Sequence, residues 1–172
     1  MANLTGVVGE HYAAAELTRR GFLVTLTRGN APGVDLLAYH PATPKTVAIQ
    51  VKTALGSKQK RGQWIMNQKD EDQESLRSHV FIFVYLPKEL DQSPEYTIVP
   101  SVTVAQTIFK DHQAWQGSLG AKGQQHNTTP MRQFKDPLGE HLDKWQVILN
   151  FAGIITRVSP LLMEREAWRP ST

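Results

Sequence analysis

The sequence predicts a single mixed α/β domain in which one sheet is flanked by helices. Three observations lead there. A series of short apolar segments with the two-residue period of strands fills much of residues 22–99. An Ala-rich helical segment precedes them and helical segments follow them. Helices and strands do not alternate strictly, and no Gly-rich phosphate loop follows any strand, so a doubly wound nucleotide-binding domain is not expected. The length of 172 residues and the 40% hydrophobic content suffice for one buried core. The domain therefore spans residues 1–172, with a core over 5–100 and a C-terminal helical extension over 101–172.

Taken in order, Thr5 to Arg20 reads as a helix: Thr5 caps it, Arg19 and Arg20 suit its last turn, and Gly21 ends it. Phe22 to Thr27 and Val34 to His40 read as strands separated by turn chemistry at 28–33. After the turn Pro41 to Pro44, a third strand runs from Thr46 to Thr53. A basic Gly-containing stretch, Leu55 to Gly62, leads to a short strand near Trp64 and a short helix or loop over Asp70 to Arg77. His79 to Leu86 is almost wholly apolar, as a strand covered on both faces would be. Tyr96 to Val99 is a further strand, and Ser101 is placed to cap a helix over 102–115. Residues 116–130 read as a polar loop and Leu138 to Asn150 as a helix with an apolar face.

Composition removes several function classes. The absence of cysteine excludes disulfides, thiolate metal sites, iron–sulfur clusters and a Cys nucleophile. The six histidines lack the spacing of a zinc site, and no nucleophile elbow is present. No apolar run approaches the length of a membrane span, and the N-terminal residues do not read as a leader, so a cytoplasmic protein with no membrane partner is expected. The net charge of +3 permits a nucleic-acid partner without requiring one.

The polar residues that break the strand pattern carry the chemistry. In the third strand Val47, Ile49 and Val51 share one face while Ala48, Gln50 and Lys52 share the other. In the second strand Asp35 stands at the head of an apolar run, costly to bury unless paired or metal-bound. A short turn joins these strands, so they pair antiparallel and Asp35 lies across from the Gln50–Lys52 end. The first helix adds Glu10. Carboxylates and an amide oxygen are hard ligands suited to Mg²⁺ or Mn²⁺, and a lysine offsets negative charge beside them. Each residue alone has an ordinary explanation as an ion pair, a satisfied amide or a solvated helix position. Their joint order, helix Glu, strand Asp, strand Gln-x-Lys, is the specific signal.

The segments Gly6-Val-Val-Gly9-Glu10, Ala13-Ala14-x-x-Leu17, Gly21-Phe22-x-Val24, Gly33-Val34-Asp35-Leu36 and Ile49-Gln50-Val51-Lys52-Thr53 resemble the core of the PD-(D/E)xK nuclease superfamily, most closely archaeal Holliday junction resolvases and Mrr-type restriction endonucleases. The resemblance covers residues 6–53, with 79–86 as a weaker match. It implies a restriction-endonuclease-like α/β core of αβββαβ order, a mixed central sheet flanked by helices. It also implies a metal-dependent endonuclease that hydrolyses DNA, in restriction and defence or in repair and recombination, with Mg²⁺ or Mn²⁺ as cofactor. Carried over by position, Asp35 is the main metal-binding acid, Gln50 stands in the second acid's place, Lys52 is the catalytic lysine and Glu10 is the helix acid that completes the site. Gln50 departs from the Asp or Glu of the basic pattern, though Gln also occurs in Mrr-like members. The substitution removes a negative charge from the metal cage and opens the alternative of a catalytically inactive nuclease-fold protein that binds nucleic acid or a protein partner.

Residues expected to contact DNA phosphates are Lys58, Lys60 and Arg61 in the basic stretch, with Arg28 extending the surface. The acids Asp70, Glu71, Asp72 and Glu74 are expected to face solvent, away from DNA. Cleavage of both strands by a chain with one site calls for a homodimer.

Overall fold

The computed structural model describes residues 4–27, 33–56, 60–72 and 79–154. Helix α1 (Leu4–Arg19) is followed by β1 (Leu23–Leu26), β2 (Leu36–Tyr39), β3 (Thr46–Leu55) and β4 (Gln63–Asn67). A 3₁₀ turn (Gln68–Glu71) then precedes β5 (His79–Leu86), β6 (Glu95–Pro100), α2 (Ser101–Gln116), β7 (Met131–Lys135) and α3 (Gln146–Phe151). Five strands form one mixed sheet in the order β1-β2-β3-β5-β6. The β3–β5 pair is parallel and the others are antiparallel. Strands β4 and β7 form a separate antiparallel ribbon.

Helix α1 meets the sheet through Gly9, Ala13 and Leu17, one residue per turn on a single face. The close approach needs the glycine: a Cβ at Gly9 would stand 1.9 Å from Thr53 Oγ1 on β3. The helix ends where Gly21 takes φ +88 and the amides of Gly21 and Phe22 return to the carbonyls of Thr18 and Leu17.

The period-two pattern of β3 separates two cores. Val47, Ile49 and Val51 pack with Ala13 and Leu17 of α1, Val80, Ile82 and Val84 of β5, and Trp145 and Ile148 around α3. On the opposite face Ala54, Phe81 and Phe83 pack with Trp64, Met66, Phe134, Val104 and Ile108, which belong to the ribbon and α2. Strand β5 alternates between the two cores, which explains its nearly unbroken apolar sequence. The middle place in the sheet belongs to β3, with β5 beside it.

Several sequence expectations need correction. The region after residue 100 is not only helical. It contains β7, whose Arg132 and Phe134 point inward while Met131 and Lys135 are exposed. Ser101 does not cap α2; it is the first helical residue, and its buried hydroxyl donates to the His79 carbonyl at 2.7 Å. The expected helix over 138–150 shrinks to Gln146–Phe151. Gly139 takes φ +68, and the Asp136 carboxylate accepts from the amides of Glu140 and His141, so a turn occupies the earlier part.

Candidate active site

The candidate site forms where β2 stops and β3 continues. Leu36 at the start of β2 pairs with Ile49, so the backbone of β3 beyond that point has no strand partner on the β2 side. Asp35 fills the gap. Its amide donates to the Ile49 carbonyl at 2.9 Å, and its Oδ2 accepts the Val51 amide at 2.7 Å. Thr27 fixes the same segment through its amide to the Asp35 carbonyl and its hydroxyl to the Val34 carbonyl. The Asp35 carboxylate is thus held beside Gln50 by the backbone of its neighbour strand.

Gln50 is 7% exposed, and its Oε1 is a buried acceptor with no hydrogen-bond partner among the described residues. Such an atom costs free energy unless something donates to it or it coordinates a cation. Gly33, at φ +74, borders this oxygen: a Cβ there would stand 4.0 Å from it.

Glu10 joins the site electrostatically. Burial first, and then the negative charge of Asp35, push its carboxyl above the ordinary value, with His11 pulling the other way. Carboxylates and an amide oxygen are hard ligands suited to a divalent cation. Glu10, Asp35 and Gln50 would hold such an ion. Among the described residues no group of three or more His, Cys, Asp or Glu side chains comes together as a metal cage.

Lys52 lies two residues beyond Gln50 on the same face of β3. Its side chain is 24% exposed, and its Nζ stands 3.8 Å from Asp70 Oδ2. The expectation that the acids at 70–74 face solvent is therefore overturned for its first two members. Asp70 is only 3% exposed, and Glu71 forms an ion pair with the buried Arg132. Glu74 lies outside the described residues. Sequence reasoning missed Asp70 because it sits in a run of charges, where a solvated face is the ordinary outcome.

Of the residues expected to contact phosphates, Lys60 and Arg61 are exposed, while Arg28 and Lys58 lie outside the described residues. Arg61 bonds Glu95 at 2.6 Å, which offsets its charge. Arg20 is a packing residue: its guanidinium lies 4.0 Å from the Trp145 ring centre and pairs with Glu16.

The architecture matches known nucleases. A bacterial homing endonuclease, I-Ssp6803I, superposes with a TM-score of 0.51 at 16% identity, covering 89% of this chain and 94% of that one. The Holliday junction resolvase Hjc of Archaeoglobus fulgidus gives a TM-score of 0.47 at 16% identity, covering 87% of this chain and 97% of its own. No protein-family model and no curated protein matches the sequence. The chain thus shares the fold of I-Ssp6803I, a mixed sheet flanked by helices, in keeping with the fold class the sequence led us to expect. No helix among the described residues is long and apolar enough to cross a membrane.

Proposed function

We propose that the chain is a metal-dependent DNA endonuclease whose site is Glu10, Asp35, Gln50 and Lys52. The observation that carries this reading is the buried Oε1 of Gln50, without a hydrogen-bond partner among the described residues and beside Asp35, with the Glu10 carboxyl raised by burial and then by the same aspartate. The reaction is hydrolysis: water attacks phosphorus, the bond to the leaving oxygen breaks, and that oxygen takes a proton. A bound Mg²⁺ or Mn²⁺ would stabilise the negative charge that develops on the phosphodiester. Asp35 and Glu10 would balance the cation's charge, and Gln50 would supply a neutral oxygen. The Lys52 ammonium orients the attacking water and offsets charge on the phosphate. The likeness to I-Ssp6803I, a homing endonuclease, supports DNA as the substrate. Cleavage of both strands would employ a second copy of the chain.

The test is a cleavage assay on linear duplex, nicked duplex, four-way junction and single-stranded DNA with Mg²⁺, Mn²⁺ or EDTA. Cutting that needs the cation and falls to a small residual rate in both Asp35→Ala and Lys52→Ala establishes the enzyme and its preferred DNA form. One feature favours a second reading, a nuclease-fold protein that binds nucleic acid without cutting: Gln50 replaces an acid, leaving two carboxylates in the donor set. DNA retained by the wild type with no cutting under any cation would select that reading.

A further inference from the structure

We propose that Asp70 is the positioning residue for Lys52, acting on the reaction through the lysine rather than as a metal ligand. The inference rests on the nuclease reading above. A carboxylate at the third position of a helical turn ordinarily reaches back to the capping residue from the surface. Asp70 does reach back, its Oδ2 accepting the Asn67 amide at 2.9 Å, but it does so while almost wholly buried. Burying a carboxylate is costly unless a cation meets it, and capping a four-residue turn does not offset that cost. The cation is Lys52, whose Nζ lies 3.8 Å from the same oxygen.

The surroundings hold Asp70 firmly. Its neighbour Glu71 is clamped by Arg132 of β7, and Arg132 also donates to the carbonyls of Thr129 and Met131. The Gln68 amide donates to the Pro130 carbonyl at 2.8 Å. The ribbon that carries the turn is packed onto β5 through Trp64, whose Nε1 donates to the Val84 carbonyl, and through the stack of Phe134 on Phe83. A lysine has four rotatable side-chain bonds, and an ammonium free to wander would spend little time at a phosphate. The fixed carboxylate selects the conformers that keep it over the face of β3 bearing Gln50. Asp70 already accepts from the Asn67 amide and pairs with Lys52, so its role is to hold the lysine.

The test compares Asp70→Asn and Asp70→Glu with wild type, alone and in a Lys52→Met background, in steady-state cleavage with saturating Mg²⁺. The Asn carbonyl still accepts the Asn67 amide, so the turn is kept and only the charge is lost. We expect D70N to lower kcat by about 10- to 100-fold with KM within about twofold, and D70E to recover part of the loss. In the Lys52→Met background D70N should lower the residual rate by less than about threefold, because the residue it acts through is gone. Mass-spectrometric labelling of Lys52 with an amine reagent, which needs no activity, should run several-fold faster in D70N. Wild-type kcat in D70N, an equal fall with or without Lys52, or unchanged labelling overturns the proposal. If D70N does not fold, D70E carries the same comparison, with an intermediate fall in kcat expected and wild-type kcat overturning it. A wild type that cuts no DNA with either cation overturns the nuclease reading first, and the positioning role falls with it.

Discussion

At the scale of single residues, the proposed site turns on the charges of Glu10 and Asp35 and on the neutrality of Gln50. The Glu10 carboxyl is raised by burial and by Asp35, so folding favours its protonated form. The stabilisation that a raised carboxyl contributes is fully present below its unfolded value and is lost as pH rises through its folded value. Without metal, Glu10→Gln should therefore melt above wild type at neutral pH, with the difference vanishing in acid; melting curves in EDTA across pH 4–8 check this. Gln50→Glu would add a third carboxylate to the set. It should lower the Mg²⁺ concentration for half-maximal cutting by about tenfold and destabilise the metal-free protein, measured by metal titration and melting. Asp35→Asn keeps an acceptor for the Val51 amide but removes the charge. Cutting should fall by about 100-fold or more in single-turnover assays, with little change in melting temperature.

At the scale of elements, two contacts fix the site's geometry. Helix α1 can bring Glu10 to β3 only because Gly9 carries no side chain against Thr53. Gly9→Ala should destabilise the fold by about 1–3 kcal/mol in urea unfolding, and Thr53→Ala in the same chain should recover part of it. The second contact is the pair between Glu71 and Arg132, which ties the 3₁₀ turn to β7. Removing Arg132 leaves the partly exposed Glu71 carboxylate without its partner. Arg132→Met should cost about 1–3 kcal/mol by the same measurement. Strand β7 escaped sequence reading for the same reason. Its alternation, Met131 to Lys135, places an arginine at an inward position, so the segment looks polar throughout. The ion pair that makes an inward arginine tolerable spans 61 residues and leaves no trace in the local pattern.

At the scale of the whole molecule, cation binding should appear as stability. A ligand bound only by the folded state at about 100 times its dissociation constant adds about 2.7 kcal/mol, equivalent to a rise of several degrees in melting temperature. Mg²⁺ or Mn²⁺ should produce that rise in wild type and not in Asp35→Ala. The sequence by itself determined the order helix, hairpin, third strand, and the sharing of one strand face by Gln50 and Lys52. Those features follow from local rules: a helix needs its end signals, and a strand alternates its side chains every two residues. It also placed Asp35 across from the Gln50–Lys52 end, because a short turn makes the two strands antiparallel neighbours. Only the tertiary structure decided that Asp70 is buried against Lys52, that Arg61 spends its charge on Glu95, and that a ribbon from two distant segments backs the sheet. These are contacts between segments far apart in sequence. Which charges meet there depends on how the layers pack, because burial makes an unpaired charge costly and so selects partners that no local pattern specifies.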